Sequence, residues 1–198
     1  MPISRHKMEY QRITPMMGLL WSPTAAVTSQ WRGKANAQIC VAIAAASIVP
    51  SMPRLVVQIY KRNYSHGLIW QSKALAVNFL RIDQLQLIKD FGLVSGRDVD
   101  KLADIAFETK ASGSPILKDC WGYLDCRVIN AMDGGDMTCF LAEVLDGGAS
   151  SGGGPLWWRD ARRQIPPEWL ESWNRQIAGE IEFSIGRMNH IDYAPWKP

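Results

Sequence analysis

The chain has 198 residues, of which 47% are hydrophobic and 21% are charged, close to the mixture of an ordinary globular protein. This composition excludes a disordered, a collagen-like and a coiled-coil protein. Lys and Arg number 22 against 19 Asp and Glu, which gives a net charge of +3. That charge is too mild to indicate nucleic acid as the main partner, although it leaves room for a local basic site that binds a small anion.

Membrane and metal partners are not expected from the sequence. The N-terminus is polar, and the longest apolar stretch, Ile39 to Val49, is shorter than the roughly 20 residues that span a bilayer. We therefore expect a cytoplasmic protein. The four cysteines contain no Cys-x-x-Cys pair and the three histidines are scattered, so we predict free thiols and no metal site.

Strand-like runs dominate the first 146 residues. They are rich in β-branched and aromatic residues, or alternate around turn residues, and lie at 24–29, from 37 onward, at 55–60, at 75–80, and as a hairpin of 121–130 with 138–145. Helices are predicted at Asp83–Phe91, capped by Gly92, and at Ser65–Ser72, starting on the Ser65 hydroxyl. Many strands with few helices predict a mainly β protein with a closed or nearly closed barrel.

A Gly/Ser-rich stretch at 147–154 is predicted to be a linker between a domain at 1–146 and a C-terminal extension at 155–198. The extension holds five of the nine tryptophans. Pro166-Pro167 favours a helix start, and Gly179 is expected to end that helix. Its apolar stripe is predicted to cover the barrel, a second subunit or a ligand mouth, and consists of Trp169, Leu170, Trp173 and Ile177.

Two segments carry candidate chemistry, while the common nucleotide-binding glycine motifs are absent. Residues 36–47 form an alanine-rich strand whose small side chains let the backbone approach a flat ligand, or pack tightly against a neighbouring strand. Residues 61–66 combine two cations, side-chain donors and a helix start, which is how proteins hold phosphate. A solvated basic loop is the alternative interpretation of this second segment.

An ordered series of short motifs resembles the flavin reductase-like, FMN-binding split-barrel family, which includes the flavoredoxins. The resemblance spans roughly residues 18–147. The series runs through Val27-Thr28-Ser29, Gly33, Asn36-Ala37, Ser47, Pro53-Arg54-Leu55-Val56-Val57, Tyr64-Ser65-His66, Val77-Asn78-Phe79, Phe91-Gly92, Ser95-Gly96-Arg97-Asp98-Val99-Asp100-Lys101, Leu124-Asp125-Cys126 and Phe140 with Glu143-Val144.

This resemblance implies a six-stranded Greek-key split barrel with short flanking helices and a C-terminal helical tail. It also implies a homodimer with FMN near the subunit interface. The implied FMN contacts are Asn36, Ala37, Ala45, Ala46 and Ser47 beside the flavin ring; Lys61, Arg62, Tyr64, Ser65 and His66 on the phosphate side; Asn78 and Phe79 on a flanking strand; and Lys101 from the stretch after a helix.

The resemblance implies an FMN-dependent oxidoreductase of the flavin reductase type, in which NAD(P)H reduces bound FMN and FMN reduces an acceptor. No side chain is expected to be catalytic, because the flavin carries the chemistry. Many members that use NAD(P)H carry Gly-Asp-His-Thr, where this chain has Gly135-Asp136-Met137-Thr138. Two alternatives follow: a flavoredoxin-like electron carrier reduced by a protein partner, and a flavin-free barrel that binds a partner through its tail tryptophans.

Overall fold

The computed structural model describes residues 10–194. Its strands are β1 (Ala25–Trp31), β2 (Lys34–Cys40), β3 (Ile43–Ala45), β4 (Arg54–Tyr60), β5 (Ala74–Phe79), β6 (Phe107–Thr109), β7 (Pro115–Leu117), β8 (Gly122–Asp133) and β9 (Met137–Ala149). Its α-helices are α1 (Tyr10–Met17), α2 (Tyr64–Ser72), α3 (Gln86–Gly92), α4 (Trp158–Gln164) and α5 (Pro167–Ile185). None of these helices is long and apolar enough to cross a membrane.

Seven strands form one antiparallel sheet in the order β2-β1-β5-β8-β9-β4-β3, which curls into a half-barrel, while β6 and β7 pair separately. The mainly β split barrel is therefore confirmed, with one strand more than the six expected. The difference arises where the alanine-rich run bends at 41–42, so that β2 and β3 lie at opposite edges of the sheet. The Gln58 N–H donates to the Ala42 carbonyl at 3.0 Å, which ties this bend to β4.

Two apolar cores stabilise the sheet, one on each face. The core inside the barrel is built by alternating residues, as on β4, where Leu55, Val57 and Ile59 are buried. The second core lies under the helices and joins the barrel to the tail through Leu80, Phe91 and Leu156. Each such side chain contributes about 1.5–3 kcal/mol of burial free energy. The tail is therefore part of the folded body.

Several predicted boundaries are wrong. β9 continues through Gly147 and Gly148, which pair with β8. A side chain at Gly147 would come within 3.1 Å of the Tyr123 carbonyl oxygen, so glycine suits this close pairing. The predicted linker therefore begins inside a strand. α5 continues past Gly179 to Ile185, since its C-terminal half stays hydrogen-bonded as helix.

Two predicted caps are also wrong. Gly92 is the last residue of α3, and Leu93 follows it as the cap residue. Asn63 occupies the N-cap position of α2, and the Ser65 hydroxyl instead accepts a hydrogen bond from Asn36 Nδ2 at 2.7 Å. Ser65 thus links a helix to a strand rather than starting the helix.

A candidate ligand groove between the barrel and helix α5

A groove of about 810 Å³ separates the mouth of the barrel from α5. The barrel side is formed by β2, by the loop between β4 and α2, and by the segment after α3. The opposite wall is α5 itself, including Trp173, Gln176, Ile177, Glu180, Ile181 and Ile185. The volume of the groove lies within the roughly 300–1,000 Å³ that small-molecule sites occupy.

Three buried side-chain oxygen atoms of groove residues have no hydrogen-bond donor. They are Asn36 Oδ1 and Gln38 Oε1 on β2, and Glu180 Oε2 on α5. Buried polar atoms are normally paired, so a cluster of unpaired acceptors needs an explanation. A ligand rich in hydroxyl or N–H groups would supply the missing donors.

The groove also carries more positive than negative side chains. Arg62, Arg97, Lys101 and Arg175 line it, against Asp136 and Glu180. The Arg97 guanidinium lies over the Tyr64 ring at 5.5 Å and donates to the Arg62 carbonyl at 3.0 Å. Fixed guanidinium groups of this kind favour an anionic ligand such as a phosphate ester.

Lys101 is the half-buried cation of the groove. Its Nζ donates to the Phe91 carbonyl at 2.7 Å and to the Ala37 carbonyl at 3.0 Å. Burial lowers the pKa of this ammonium group to about 8, because desolvation disfavours the charged form. The group is therefore largely protonated at neutral pH and adds positive charge to the groove.

Gly96 brings the segment after α3 directly against β2. A Cβ atom at this position would come within 2.0 Å of Asn36 Oδ1 and 3.0 Å of the Tyr64 ring. Only glycine fits this approach. The close contact places Arg97 at the groove beside Tyr64.

Helix α5 contacts the predicted phosphate-side loop through Arg62. Arg62 Nη1 donates to the Gly179 carbonyl at 2.9 Å, and its Nε lies 3.6 Å from Glu180 Oε1. The guanidinium also lies over the Phe183 ring at 5.6 Å. The C-terminal half of α5 is therefore held at the groove by this arginine.

The structure brings six of the thirteen predicted site residues to the groove or directly behind it. Four of them line it: Asn36, Arg62, Tyr64 and Lys101. The other two hold these in place, since Ser65 accepts from Asn36 and the Ala37 carbonyl accepts from Lys101.

The predicted phosphate contacts Lys61 and His66 lie elsewhere. Lys61 Nζ forms an ion pair with Asp133 at 2.6 Å. His66 Nε2 lies 2.8 Å from Thr138 Oγ1, and its ring stacks on Trp70. Desolvation, with a smaller contribution from the Lys61 charge, lowers the pKa of His66 to about 4. Its imidazole is therefore neutral at physiological pH and adds no positive charge.

The remaining predicted contacts are also away from the groove. Asn78 is fully buried, where its Nδ2 donates to the Ala26 carbonyl at 3.1 Å and its Oδ1 accepts from the Leu117 N–H at 2.8 Å. Phe79 packs against the barrel core. Ala45 and Ala46 are exposed on and after the edge strand β3, and Ser47 accepts from the Val49 N–H at 3.1 Å.

From the sequence it stayed open whether helix α5 covers the barrel, a second subunit or a ligand mouth, and no role was assigned to Gln38 or Arg97. Arg97 belongs to the Ser-Gly-Arg-Asp motif of the resemblance, which implied no contact for it. The helical spacing of Ile177, Ile181 and Ile185 was the available signal for an apolar wall. Spacing alone does not tell which surface such a stripe faces.

The chain is similar to several known proteins. Residues 17–166 match the family described as "Flavin reductase like domain". The chain is 29% identical to the high molecular weight rubredoxin of Moorella thermoacetica, over 66% of this chain and 57% of that protein. It is 30% identical to the reductase component of the 4-nitrophenol 4-monooxygenase/4-nitrocatechol 2-monooxygenase of Rhodococcus opacus, over 55% of this chain and 57% of that protein.

The chain thus spans little more than half the length of these two relatives. The crystal structure of the flavin reductase PheA2 superposes with a TM-score of 0.62 at 28% identity, covering 75% of this chain and 92% of that one. The family match covers well over half of the sequence, from the last residue of α1 through α4. The chain belongs to the family of flavin reductase like domains.

Proposed function

We propose that the chain is an FMN-dependent oxidoreductase of the flavin reductase type, which passes reducing equivalents from NAD(P)H to an acceptor. The observation that carries this proposal is the groove, because its barrel wall lies within the matched family domain. That wall combines guanidinium and ammonium groups with unpaired buried acceptors. The family membership supplies the reaction class.

The groove residues suit FMN as a ligand. Its phosphate needs cations, which Arg62 and Arg97 supply, and its ribityl hydroxyls need acceptors, which Asn36 and Gln38 supply. Its ring needs a partly apolar wall, and the groove offers Tyr60, Tyr64, Trp173, Ile177 and Ile181. Each of the three parts of the cofactor therefore has matching side chains.

Binding, orientation and exclusion of water are the tasks of this chain's own residues. Arg62 and Arg97 bind the anionic end of the ligand, and Lys101 holds its protons at Nζ against two carbonyl groups. Helix α5 covers the groove and limits its contact with water. When bound, a flavin accepts hydride at its own ring nitrogen, so no side chain has to act as an acid or base.

A flavoredoxin-like electron carrier is the second candidate. Met137 stands where many NAD(P)H-using relatives have histidine, and α5 screens the groove from one side. Similarity to a rubredoxin of high molecular weight is compatible with a protein partner as electron donor. The homodimer and the cytoplasmic location stay predictions.

Anaerobic addition of NADH and of NADPH to the FMN-loaded protein tests the proposal. We expect the visible flavin absorbance to be lost with at least one nucleotide, far faster than with free FMN as the control. An FMN-loaded protein that stays oxidised with both nucleotides would contradict the reductase and favour the carrier. A protein that binds no FMN would favour the flavin-free binding module.

A further inference from the structure

Arg62 contacts α5 through a hydrogen bond at one edge of its guanidinium and an ion pair at the other. A guanidinium group binds phosphate in a bidentate way through Nε with Nη2, or through Nη1 with Nη2. The Gly179 carbonyl accepts a hydrogen bond from Nη1, and the Glu180 carboxylate forms an ion pair with Nε. A phosphate that binds Arg62 in a bidentate way must therefore displace one of these two α5 groups.

The contact between the Glu180 carboxylate and Arg62 is weak for a pair of opposite charges. Its Oε1 lies 3.6 Å from Arg62 Nε, which is beyond ordinary hydrogen-bond distance. Its Oε2 is buried without any hydrogen-bond donor, which is costly for a charged group. A phosphate group can offer Arg62 shorter hydrogen bonds and a larger negative charge, so it can win this competition.

The two halves of α5 differ in how firmly they are attached. The N-terminal half is fixed by Trp169 and Trp173, which pack against the core under the helices. In the C-terminal half, Ile181 is 54% exposed and Ile185 is 68% exposed. Gly179 lies between the halves, and glycine is a weak helix former. The C-terminal half therefore depends more on its polar contacts with Arg62 than on apolar packing.

We propose that Glu180 is a specificity-determining residue of the groove, which occupies Arg62 in the free protein and is displaced by the phosphate of the ligand. This inference rests on the proposed function, since it assumes that the ligand is a phosphorylated flavin. Glu180 also repels a bound phosphate once displaced. It therefore lowers the affinity for FMN but leaves the affinity for riboflavin, which lacks the phosphate, unchanged.

Glu180→Gln tests this competition, with Glu182→Gln as the matched control. Both substitutions remove one negative charge from α5, but position 182 is exposed and about 200° around the helix from position 180. The dissociation constants of FMN and riboflavin are measured for the full chain and both variants. We expect Glu180→Gln to bind FMN about two- to fivefold more tightly, as for the loss of one exposed ion pair. Riboflavin affinity, and both affinities of Glu182→Gln, should stay unchanged.

Two results would overturn the proposal. An unchanged or weaker FMN affinity in Glu180→Gln would show that Glu180 does not compete with the ligand. An equal gain for riboflavin would show that α5 acts on the whole flavin and not on its phosphate.

Hydrogen–deuterium exchange gives a readout that needs no flavin. In the free protein, Glu180→Gln should exchange the amides of residues 179–185 faster than the wild type. Inorganic phosphate should speed the same amides in the wild type, and unchanged exchange in both comparisons would overturn the competition. If the wild type binds neither flavin, the proposed function fails, and the exchange experiment still decides whether phosphate displaces Glu180.

Discussion

Lys101 links the chemistry of the groove to pH. Because burial lowers its pKa to about 8, Nζ is charged below that pH and neutral above it. The arginines of the groove keep their charge over the same range, and a phosphate monoester is fully ionised. We therefore expect FMN affinity to fall by roughly fivefold between pH 7 and pH 9, the effect of losing about 1 kcal/mol of charge interaction.

The same titration affects stability in the opposite direction. The pKa of Lys101 is lower in the folded chain than the ordinary value of 10.5, so between about pH 8 and 10.5 the unfolded chain binds more protons. The contribution of Lys101 to the free energy of unfolding therefore rises with pH in this window.

FMN titrations at a series of pH values measure the binding effect. An affinity that stays flat from pH 7 to pH 9 would place Lys101 away from the ligand's charge.

Single residues show what the sequence could and could not predict about the site. Lys101 and Asn36 were assigned to the cofactor on the resemblance, and the structure places both at the groove. His66 was assigned to the phosphate because it follows two cations in the sequence. Its side chain instead contacts Thr138 on β9 and stacks on Trp70 of its own helix. Successive residues in the first turn of a helix point in different directions, so a position next to two cations in the sequence does not show where the side chain points.

Trp173 is one of the aromatic residues that attach helix α5 to the core. The Trp173 ring lies 5.3 Å from the Trp158 ring and packs over Gly92 and the core under the helices. A fully buried tryptophan contributes roughly 3–5 kcal/mol on truncation to alanine, and Trp173 is only partly buried. We expect Trp173→Ala to lower the free energy of unfolding by about 2 kcal/mol.

Chemical denaturation of the full chain measures this effect. Ile185→Ala is the control on the same helix, because its side chain is 68% exposed and its loss should cost less than about 0.5 kcal/mol. Equal stability losses in the two variants would mean that Trp173 does not anchor α5.

Local sequence patterns predicted which strands and helices form better than they predicted where these elements begin and end. The run at 55–60 became β4, a half-buried strand with alternating burial, and the run at 75–80 became β5, which is buried along almost its whole length. The glycines at 147 and 148 indicated a linker, yet β8 pairs with them and extends the strand. Gly179 indicated a helix end, yet contacts of Arg62 and the tryptophans maintain the helix beyond it. Tertiary contacts decide such boundaries, and a sequence window does not contain them.

The whole molecule combines a half-barrel that matches a known family with a helix beyond the match that completes the groove. The tail from Leu156 to Ile165 shares a core with Leu80 and Phe91, so barrel and tail fold together. The sequence predicted that the extension would cover the barrel, a partner or a ligand mouth, and within the described residues it packs on the barrel and forms one wall of the groove. The homodimer remains a prediction.

The most direct test of this account is a titration of the purified full chain with FMN, followed by calorimetry. We predict saturable binding of one FMN per chain, because each chain contributes one groove with its cations and unpaired acceptors. Absence of saturable FMN binding would contradict the account.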